Sequence, residues 1–338
     1  DGPGEGDHFA SVTEGLRGHK ARHNLAVMYL EMHREAEAEV EWQKALEEEP
    51  LFLSAQAGMG EVYLRLKRWD ELEDRARRME ALGREGELHA EALRGRAHLE
   101  RGEAAAARWG LGRACERFPD SLTLRVLHSH AALKEGLDRE AEAALLAVLD
   151  LAPSHAEARQ NLAVLRARRR LKPGEEITLA GLFAASCARD DDAAGPLTAL
   201  RDLARGCQRV VQFGAGAGEV TTALLMGRPG ELVCCDRARA PELDLLEALA
   251  GKTKFEFRLA DQRLDDEMDL LVVSDPTLAS IRRVLERSVT TALRLVIVHG
   301  PNDVDHSDSG LVAAGFRPAG GGRPVAGLSV WERNGSRG

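Results

Sequence analysis

A glycine-rich turn follows a short apolar run in the second half of the chain. The run covers 209–213, and the turn after it has glycine at Gly214, Gly216 and Gly218. Glycine at this spacing lets the backbone turn tightly and lets a ligand approach the main chain closely. A dinucleotide-binding fingerprint would need its third glycine at position 219, which is Glu219 here. The spacing therefore predicts a ligand-binding loop and counts against a nicotinamide cofactor.

Polar side chains close the next two apolar runs. Asp236 ends the second run, and Asp261 followed by Gln262 comes after the third. A carboxylate can accept hydrogen bonds from both hydroxyls of a ribose, and a polar side chain on the next strand can reach an adenine amino group. Taken singly, each acid is more simply explained as a solvated loop residue. Taken together with the glycine turn, the set predicts recognition of a nucleoside.

Two further residues have the chemistry of a catalytic pair. His299 follows the fifth apolar run, and a histidine titrates near neutral pH, which suits a general base. Asp275 follows the fourth run and could orient His299 or replace it. The alternative is that His299 merely ends a strand near a turn.

The elements that would position these residues alternate regularly. Short apolar runs alternate with helical stretches from residue 178 onward, which predicts a doubly wound α/β fold with a mostly parallel sheet. The carboxyl ends of its strands then meet at one edge, where ligands bind near the topological switch point. The last run is expected to pair antiparallel with a short strand near Phe316. The expected helices lie at 178–188, 196–206, 219–227, 241–250, 277–288 and 307–314.

The first half of the chain repeats itself with a period near 34 residues. Tyr29 returns as Tyr63, and Pro119 and Pro153 are separated by the same interval. A small residue comes three positions before each tyrosine and would let two helices approach closely. A proline ends the second helix of a pair, because it cannot continue the hydrogen-bond ladder. The recurring small residues are Ala26, Gly60, Gly95 and Ser129.

These repeats resemble the tetratricopeptide (TPR) family over about 19–153, and a further helix at about 154–169 looks like a cap. Arg94 and His98 depart from the family pattern, which has an apolar residue and a tyrosine there. The second half resembles class I S-adenosylmethionine-dependent methyltransferases. The two resemblances together imply an α-solenoid followed by a Rossmann-like methyltransferase domain. The expected organisation is a flexible N-terminus at 1–18, four repeats with the capping helix at 19–169, a linker at 170–177, the α/β domain at 178–333 and a tail at 334–338.

The methyltransferase resemblance implies S-adenosylmethionine as the cofactor. The glycine turn would cradle its methionine part, Asp236 would hold the ribose, and Asp261 with Gln262 would face the adenine. Gln212 is included in the expected cofactor site because it stands where the family usually has an acid. Its amide can donate and accept hydrogen bonds but carries no charge to attract the cationic cofactor.

Two other acids that the resemblance leads us to expect are missing. Ser274 and Gly300 stand in their places. Asp303 and Asp305 could substitute only if their loop folds back. Because a hard cation needs several oxygen ligands at once, no metal site is predicted.

Methyl transfer to a hydroxyl of a small molecule or sugar is therefore the expected activity, with the repeat groove available to a protein or peptide partner. The alternative is a non-catalytic repeat scaffold that carries a degenerate methyltransferase fold, either empty or still binding the cofactor. A glycosyltransferase would need an acidic metal motif after a strand, whereas the acids at 190–192 precede the first strand. Whether the groove recruits a partner or is only a solvated face stays open. The expected groove residues are His23, Val27, Glu61, Arg65, Arg96, Glu100, His130 and Lys134.

The composition argues against several other classes of protein. The net charge is −9, whereas nucleic-acid binding needs a concentrated basic face. The basic cluster at 166–172 is explained by the favourable charge of a helix C-terminus. No run of about 18 apolar residues predicts a membrane span. The five cysteines have no CxxC spacing and predict neither a disulfide framework nor a zinc site. A cytoplasmic protein is expected.

Overall fold

The computed structural model describes residues 18–188, 191–262, 267–274, 292–298, 311, 315–319 and 328–333. Contacts between residues divide the chain into two compact units, Asp1–Ala158 and Arg159–Gly338.

The first unit is a TPR-like array of helical repeats. Four antiparallel pairs follow one another, α1 with α2, α3 with α4, α5 with α6 and α7 with α8, and each pair also packs on the next. Their bounds are α1 His19–Glu31, α2 Glu35–Glu48, α3 Leu53–Arg65, α4 Trp69–Glu80, α5 Arg84–Glu100, α6 Ala104–Arg117, α7 Leu122–Lys134 and α8 Asp138–Leu151.

The small residue predicted in each repeat lies where two helices approach most closely. A Cβ atom on Gly60 would lie 2.6 Å from Cδ2 of Leu93, and one on Gly95 would lie 2.4 Å from Cδ2 of Leu111. Real Cβ atoms do not approach other atoms at such distances, so a larger residue would force the leucine side chain or its helix to move. Ala26 and Ser129, at the equivalent positions, are fully buried. The predicted repeat pattern is therefore confirmed.

The turn inside every helix pair has the same backbone geometry. One residue adopts a left-handed conformation, and the N–H of the following residue donates to the carbonyl five positions back, at 2.8–2.9 Å. This is the Schellman arrangement that ends a helix. The left-handed residue is glycine in the third and fourth pairs but not in the first two. The four residues are His33 (φ 56°), Lys67 (φ 55°), Gly102 (φ 76°) and Gly136 (φ 72°).

The second unit contains a seven-stranded mixed sheet. Strands β1 to β5 are parallel, and β7 runs antiparallel to both β5 and β6. The order across the sheet is β3-β2-β1-β4-β5-β7-β6. The predicted antiparallel pairing of the last strand near Phe316 is thus confirmed. The strands are β1 Arg209–Phe213, β2 Glu231–Asp236, β3 Lys254–Leu259, β4 Met268–Val273, β5 Ala292–Val298, β6 Phe316–Pro318 and β7 Leu328–Arg333.

Both faces of the sheet are covered, as expected for buried parallel strands. Alternate residues of β1 belong to two different hydrophobic clusters, Val210 to one and Val211 to the other. The helices of this unit are α9 Ala156–Arg168, α10 Leu179–Ala188, α11 Asp191–Ala204, α12 Glu219–Met226 and α13 Pro241–Leu249. The predicted helices at 277–288 and most of 307–314 lie outside the described residues.

The division between the units differs from the predicted boundary at 169. It falls inside α9. Within the second unit, Arg159 and Arg166 of that helix form ion pairs with Asp244 and Glu242 of α13. The expected linker at 170–177 also contributes to the core of the second unit, where Leu171 is buried. The helix predicted to cap the solenoid is therefore mostly part of the α/β unit. The expected N-terminal segment, apart from Gly18, and the tail lie outside the described residues.

Candidate functional site

The sheet order creates a crevice at the carboxyl end of β1. The chain leaves β1 for β2 on one side, and after β3 it crosses to β4 on the other side. Such a topological switch point is where ligands bind in open α/β sheets, because the loops on either side diverge there. The predicted glycine turn, 214–218, leaves β1 at this point.

All three glycines of this turn adopt a left-handed backbone conformation. Their φ angles are 79°, 50° and 83° for Gly214, Gly216 and Gly218, which other L-residues rarely adopt. A Cβ atom on Gly218 would lie 2.7 Å from Cδ1 of Leu246, so this glycine also permits close packing on α13. No described atom lies within 4 Å of where a Cβ atom on Gly216 would be. The main chain of the turn is therefore open at its middle residue.

Asp236 contacts this turn directly. Its Oδ2 accepts a hydrogen bond from the Gly216 N–H at 3.2 Å, and its Oδ1 accepts one from the Arg237 N–H at 2.7 Å. A carboxylate has about four lone-pair sites, so these two bonds leave capacity for hydroxyl donors. The structure thus brings together two features that the sequence analysis had placed on separate strands.

Asp261 and Gln262 lie at the same edge of the sheet, one strand further out. The Ala260 N–H donates to the carbonyl of Asp236 at 2.9 Å, which ties the end of β3 to the end of β2. The side chains of Asp261 and Gln262 are exposed, and among the described residues no hydrogen bond joins them to the glycine turn.

Gln212 lies beneath the turn and is fully buried. Its side-chain amide is hydrogen-bonded to protein groups, including the hydroxyls of Thr221 and Ser274. The structure therefore places it as a support of the turn, whereas the sequence analysis grouped it with the residues that contact a cofactor.

The end of β4 closes the other side of the crevice. Ser274 donates its N–H to the carbonyl of Phe213 at 2.8 Å, so the position at which the resemblance led us to expect an acid offers a hydroxyl. The candidate catalytic residues Asp275 and His299, and Gly300, lie outside the described residues. Their predicted roles stay predictions.

The sequence analysis missed the role of Arg159. This residue donates to Oδ2 of Asp244 at 2.6 Å and to the carbonyls of Arg239 and Ala240 at 3.0 and 3.2 Å. Three acceptors on one segment fix the loop that follows Asp236. Burial alone would raise the pKa of Asp244, but hydrogen bonds from Arg159 and Arg239 outweigh it and hold that pKa below its usual range.

The basic cluster at the end of α9 also has a role that its sequence did not reveal. Arg166, Arg169 and Arg170 line a cleft of about 480 Å³ beside the glycine turn, together with Glu219 and Glu242. Arg166 pairs with Glu242 at 2.8 Å. The cluster is thus partly neutralised inside the α/β unit, which a favourable helix-end charge alone does not explain. In the sequence, the only sign of this cleft is that Arg166, Arg169 and Arg170 are spaced to lie on one face of a helix.

Most of the expected groove residues of the repeats bond to neighbouring repeats. Nη1 of Arg65 donates to the Leu30 carbonyl at 2.9 Å, and Nζ of Lys134 donates to the Leu99 carbonyl at 3.1 Å. These two cations cover the last carbonyls of the preceding helices, where a positive charge is favoured. Arg96 pairs with Glu61 at 2.5 Å. Part of the predicted binding surface is therefore committed to holding the array together.

Glu61, His23 and His130 of the expected groove also have partners within the array. Burial alone would raise the pKa of Glu61, but the hydrogen bonds and charges of Arg96 and Arg65 outweigh it and lower that pKa. Nδ1 of His23 accepts from Nε1 of Trp42 at 2.9 Å, and His130 lies 3.3 Å from Glu157.

Within the described ranges, no group of three or more His, Cys, Asp or Glu side chains is placed to hold a metal ion. In the same part of the chain, no helix combines the length and the apolar character that crossing a membrane requires.

The chain was compared with known proteins at the level of sequence and of structure. No protein-family model matches it, and no curated protein matches it. Among solved structures it is similar to a thermophilic TPR protein of Thermus thermophilus, with 18% identity, a TM-score of 0.40 and coverage of 51% of this chain and 89% of that one. It is similar to YrrB, a TPR protein with an unusual peptide-binding site, with 20% identity, a TM-score of 0.33 and coverage of 55% and 93%.

A third similar structure is the pilF protein of Pseudomonas aeruginosa, with 17% identity, a TM-score of 0.39 and coverage of 55% and 91%. Scores this low carry no argument about function. The assignment of a TPR-like repeat fold rests on the helix pairs, close contacts and turns of this chain itself.

Proposed function

We propose that this protein is a helical-repeat scaffold whose α/β unit binds S-adenosylmethionine at the glycine turn. The observation that carries the proposal is the hydrogen bond between the Gly216 N–H and the Asp236 carboxylate. It joins an open, glycine-built main chain to an acid at the end of the neighbouring strand, at the topological switch point of the sheet.

The described residues fit this cofactor in three respects. The turn is open at Gly216, so a ligand can approach its main chain. Asp236 keeps lone pairs for the two hydroxyls of a ribose. Asp261 and Gln262 are exposed at the end of the adjacent strand, where a nucleobase amino group could be recognised. When bound, the cofactor would supply a methyl group activated by its sulfonium centre.

Methyl transfer is the second candidate function. The acceptor would be a hydroxyl of a small molecule or sugar, and His299 would remove its proton, with Asp275 orienting the imidazole or replacing it. The uncharged residues Ser274 and Gly300 at expected acid positions favour the non-catalytic scaffold instead. Both candidate functions include a protein or peptide partner in the repeat groove.

The first experiment is thermal unfolding with and without S-adenosylmethionine. A ligand at about 100 times its dissociation constant stabilises the state that binds it by about 2.7 kcal/mol. We expect the midpoint of wild-type unfolding to rise. Asp236→Ala should abolish the rise, because it removes the acceptor that joins the ribose and the turn. Asp120→Ala, which removes an exposed acid of the repeat unit, should retain it.

If millimolar cofactor leaves the wild-type midpoint unchanged, the α/β unit does not bind S-adenosylmethionine. The repeat array would then be the functional part of the chain.

A further inference from the structure

Gln212 occupies an enclosed position beneath the glycine turn. It is the fourth residue of β1, which lies between β2 and β4 in the sheet, and its side chain is 0% exposed. A polar group without solvent is costly unless every donor and acceptor finds a partner. The partners of this amide therefore show what the position requires.

The hydrogen-bonding capacity of the amide is fully used. Its Oε1 accepts from the hydroxyl of Thr221 at 2.8 Å and lies 3.7 Å from the thiol of Cys234. Its Nε2 lies 3.3 Å from the hydroxyl oxygen of Ser274 and 3.5 Å from the carbonyl oxygen of Gly214. An amide offers two donors and two lone pairs on its oxygen, which matches these four neighbours.

A carboxylate could not replace this amide. It has no N–H to donate to the Gly214 carbonyl, and a carbonyl has no proton to donate to a carboxylate. Its charge would be buried, and none of the four described contacts of Gln212 is a cation. A protonated carboxyl has one donor and would satisfy one of the two acceptors. The site thus requires a neutral group that donates and accepts at once, where the family it resembles usually has an acid.

The four partners belong to the parts that shape the crevice. Gly214 begins the glycine turn, Thr221 lies in the first turn of α12, Cys234 lies in β2 and Ser274 directly follows β4. The side chain of Gln212 therefore links both walls of the crevice from below.

We propose that Gln212 is a positioning residue, whose neutral amide fixes the glycine turn and the end of β4 relative to each other for ligand binding. Its effect on the ligand rests on the proposed function, whereas its effect on the turn does not. The amide acts through Gly214 and Ser274 and does not itself touch the ligand.

The test replaces the amide in two ways. Gln212→Glu keeps the shape but removes a donor and adds an ionisable group, and Gln212→Met removes all polar contacts. Gln160→Glu, at an exposed position on α9, is the matched control for the added charge. Unfolding midpoints and S-adenosylmethionine affinities are measured from pH 5 to pH 8 for all four proteins.

We expect the midpoint of Gln212→Glu to fall as the pH rises, more steeply than in the wild type or the control. Burial raises the pKa of an introduced carboxyl above its unfolded value of about 4.3. Stability is then greatest below the unfolded pKa and decreases as the pH rises toward the folded one. The groups that face the position are the hydroxyls of Thr221 and Ser274 and the thiol of Cys234. Burial raises the pKa of that thiol to about 12, so it does not titrate in this range.

We also expect Gln212→Glu to bind the cofactor about tenfold more weakly at pH 8 than at pH 5, relative to the wild type. The protonated carboxyl restores one donor to the turn, and we expect the loss of that donor to outweigh the attraction between the carboxylate and the cationic cofactor. Gln212→Met should bind weakly at every pH. A merely structural role would lower stability without this pH-dependent recovery of affinity. Wild-type affinity in both variants would overturn the proposal.

The two proposals can fail separately. If the wild type binds no cofactor, the proposed function is wrong, and the midpoints alone decide the role of Gln212. A midpoint of Gln212→Glu that follows the control at every pH would then overturn the requirement for a neutral amide. If the wild type binds S-adenosylmethionine and both Gln212 variants bind it with wild-type affinity, only the positioning role is wrong.

Discussion

The carboxylate of Asp236 is already held by two main-chain N–H groups before any ligand arrives. Fixing a side chain in advance reduces the entropy that binding must offset. At the same time the bond to Gly216 holds the glycine turn at one distance from β2. In the proposed site, a single residue would thus provide the acceptor for a ribose and also hold the shape of the turn.

His299 provides the residue-scale test of methyl transfer. If it is the general base, His299→Ala should lower turnover by about 10²- to 10⁴-fold and leave S-adenosylmethionine affinity unchanged. The measurement is transfer of a labelled methyl group to a panel of small hydroxyl compounds and sugars, with cofactor binding followed by calorimetry. Turnover equal to that of the wild type would remove His299 from the mechanism.

The adjacent thiols of Cys234 and Cys235 should be chemically inert in the native protein. Burial raises the pKa of each to about 12, and the thiolate is the reactive form. We expect iodoacetamide at pH 8 to leave both unmodified in the native protein, while all five cysteines react after unfolding. Peptide mass analysis measures this, and rapid native labelling of either would contradict their burial in β2.

At the scale of elements, the first two helix pairs have a non-glycine residue at a turn position with a left-handed backbone conformation. His33 and Lys67 adopt the left-handed conformation that Gly102 and Gly136 adopt in later pairs. A residue with a Cβ atom is strained there, typically by about 1–3 kcal/mol. Glycine relieves the strain but loses more chain entropy on folding, about 0.5–1 kcal/mol.

The strain and the entropy cost together predict opposite changes in stability for the turns with a non-glycine residue and the turns with glycine. Lys67→Gly should leave stability unchanged or raise it by about 1 kcal/mol, and Gly136→Ala should lower it by about 1 kcal/mol. Chemical denaturation of the three proteins measures both changes. If Lys67→Gly clearly destabilises the protein, the side chain of Lys67 makes a contact that outweighs the strain of its backbone.

The anchorage of α9 on α13 is a second element-scale feature that can be tested. Arg159→Met should destabilise the protein by about 2 kcal/mol near neutral pH, because it removes three hydrogen bonds from a charged donor. The pKa of Asp244 is lowered in the folded protein, so this pair stabilises above the unfolded pKa of about 3.9 and its contribution is lost as the pH falls below it. The difference between the unfolding midpoints of the wild type and the variant should therefore become smaller in acid, and the part due to the two carbonyl hydrogen bonds should remain.

Arg168→Met is the control for this variant, since Arg168 is an exposed arginine on the same helix. It should change the midpoint little at any pH. A difference for Arg159→Met that stays unchanged down to about pH 2 would show that the carbonyl hydrogen bonds and the packing of the arginine stem, and not the ion pair with Asp244, hold α9 in place.

An element could be predicted from the sequence where its pattern of residue types has a single physical explanation. The repeats were predictable because a small residue, a tyrosine and a proline recur together, and close contacts at Gly60 and Gly95 confirm the reason. The glycine turn and Asp236 were predictable because strand ends meet at one edge. The contacts of α9 were not predictable, since Arg166 near a helix end is equally compatible with solvent and with an acid on another element.

The position of Gln212 shows a different limit of sequence reasoning. Spacing from Gly214 placed it correctly on the first strand, and its type allowed hydrogen bonding. Whether its amide points toward a ligand or into the sheet depends on Thr221 and Ser274, which are distant in sequence. Its role beneath the turn therefore emerged only from the folded chain.

At the scale of the whole molecule, each unit has hydrophobic clusters of its own. Ligand binding to one unit should therefore protect that unit first. We expect hydrogen exchange to slow in 209–262 when S-adenosylmethionine is added, and the amides of α1 to α6 to exchange as before. Slower exchange throughout those repeats would mean that the cofactor also orders the array, so that the scaffold and the binding unit act as one.

The open main chain at Gly216 has a practical consequence for spectroscopy. Glycine amides form a sparse, separate group in nitrogen–proton correlation spectra, and the Gly216 N–H is the one that points at the Asp236 carboxylate. Its resonance should move when ribose hydroxyls compete for those oxygens, even if no methyl group is ever transferred. One peak could thus screen nucleoside-like compounds against this protein before any reaction is known.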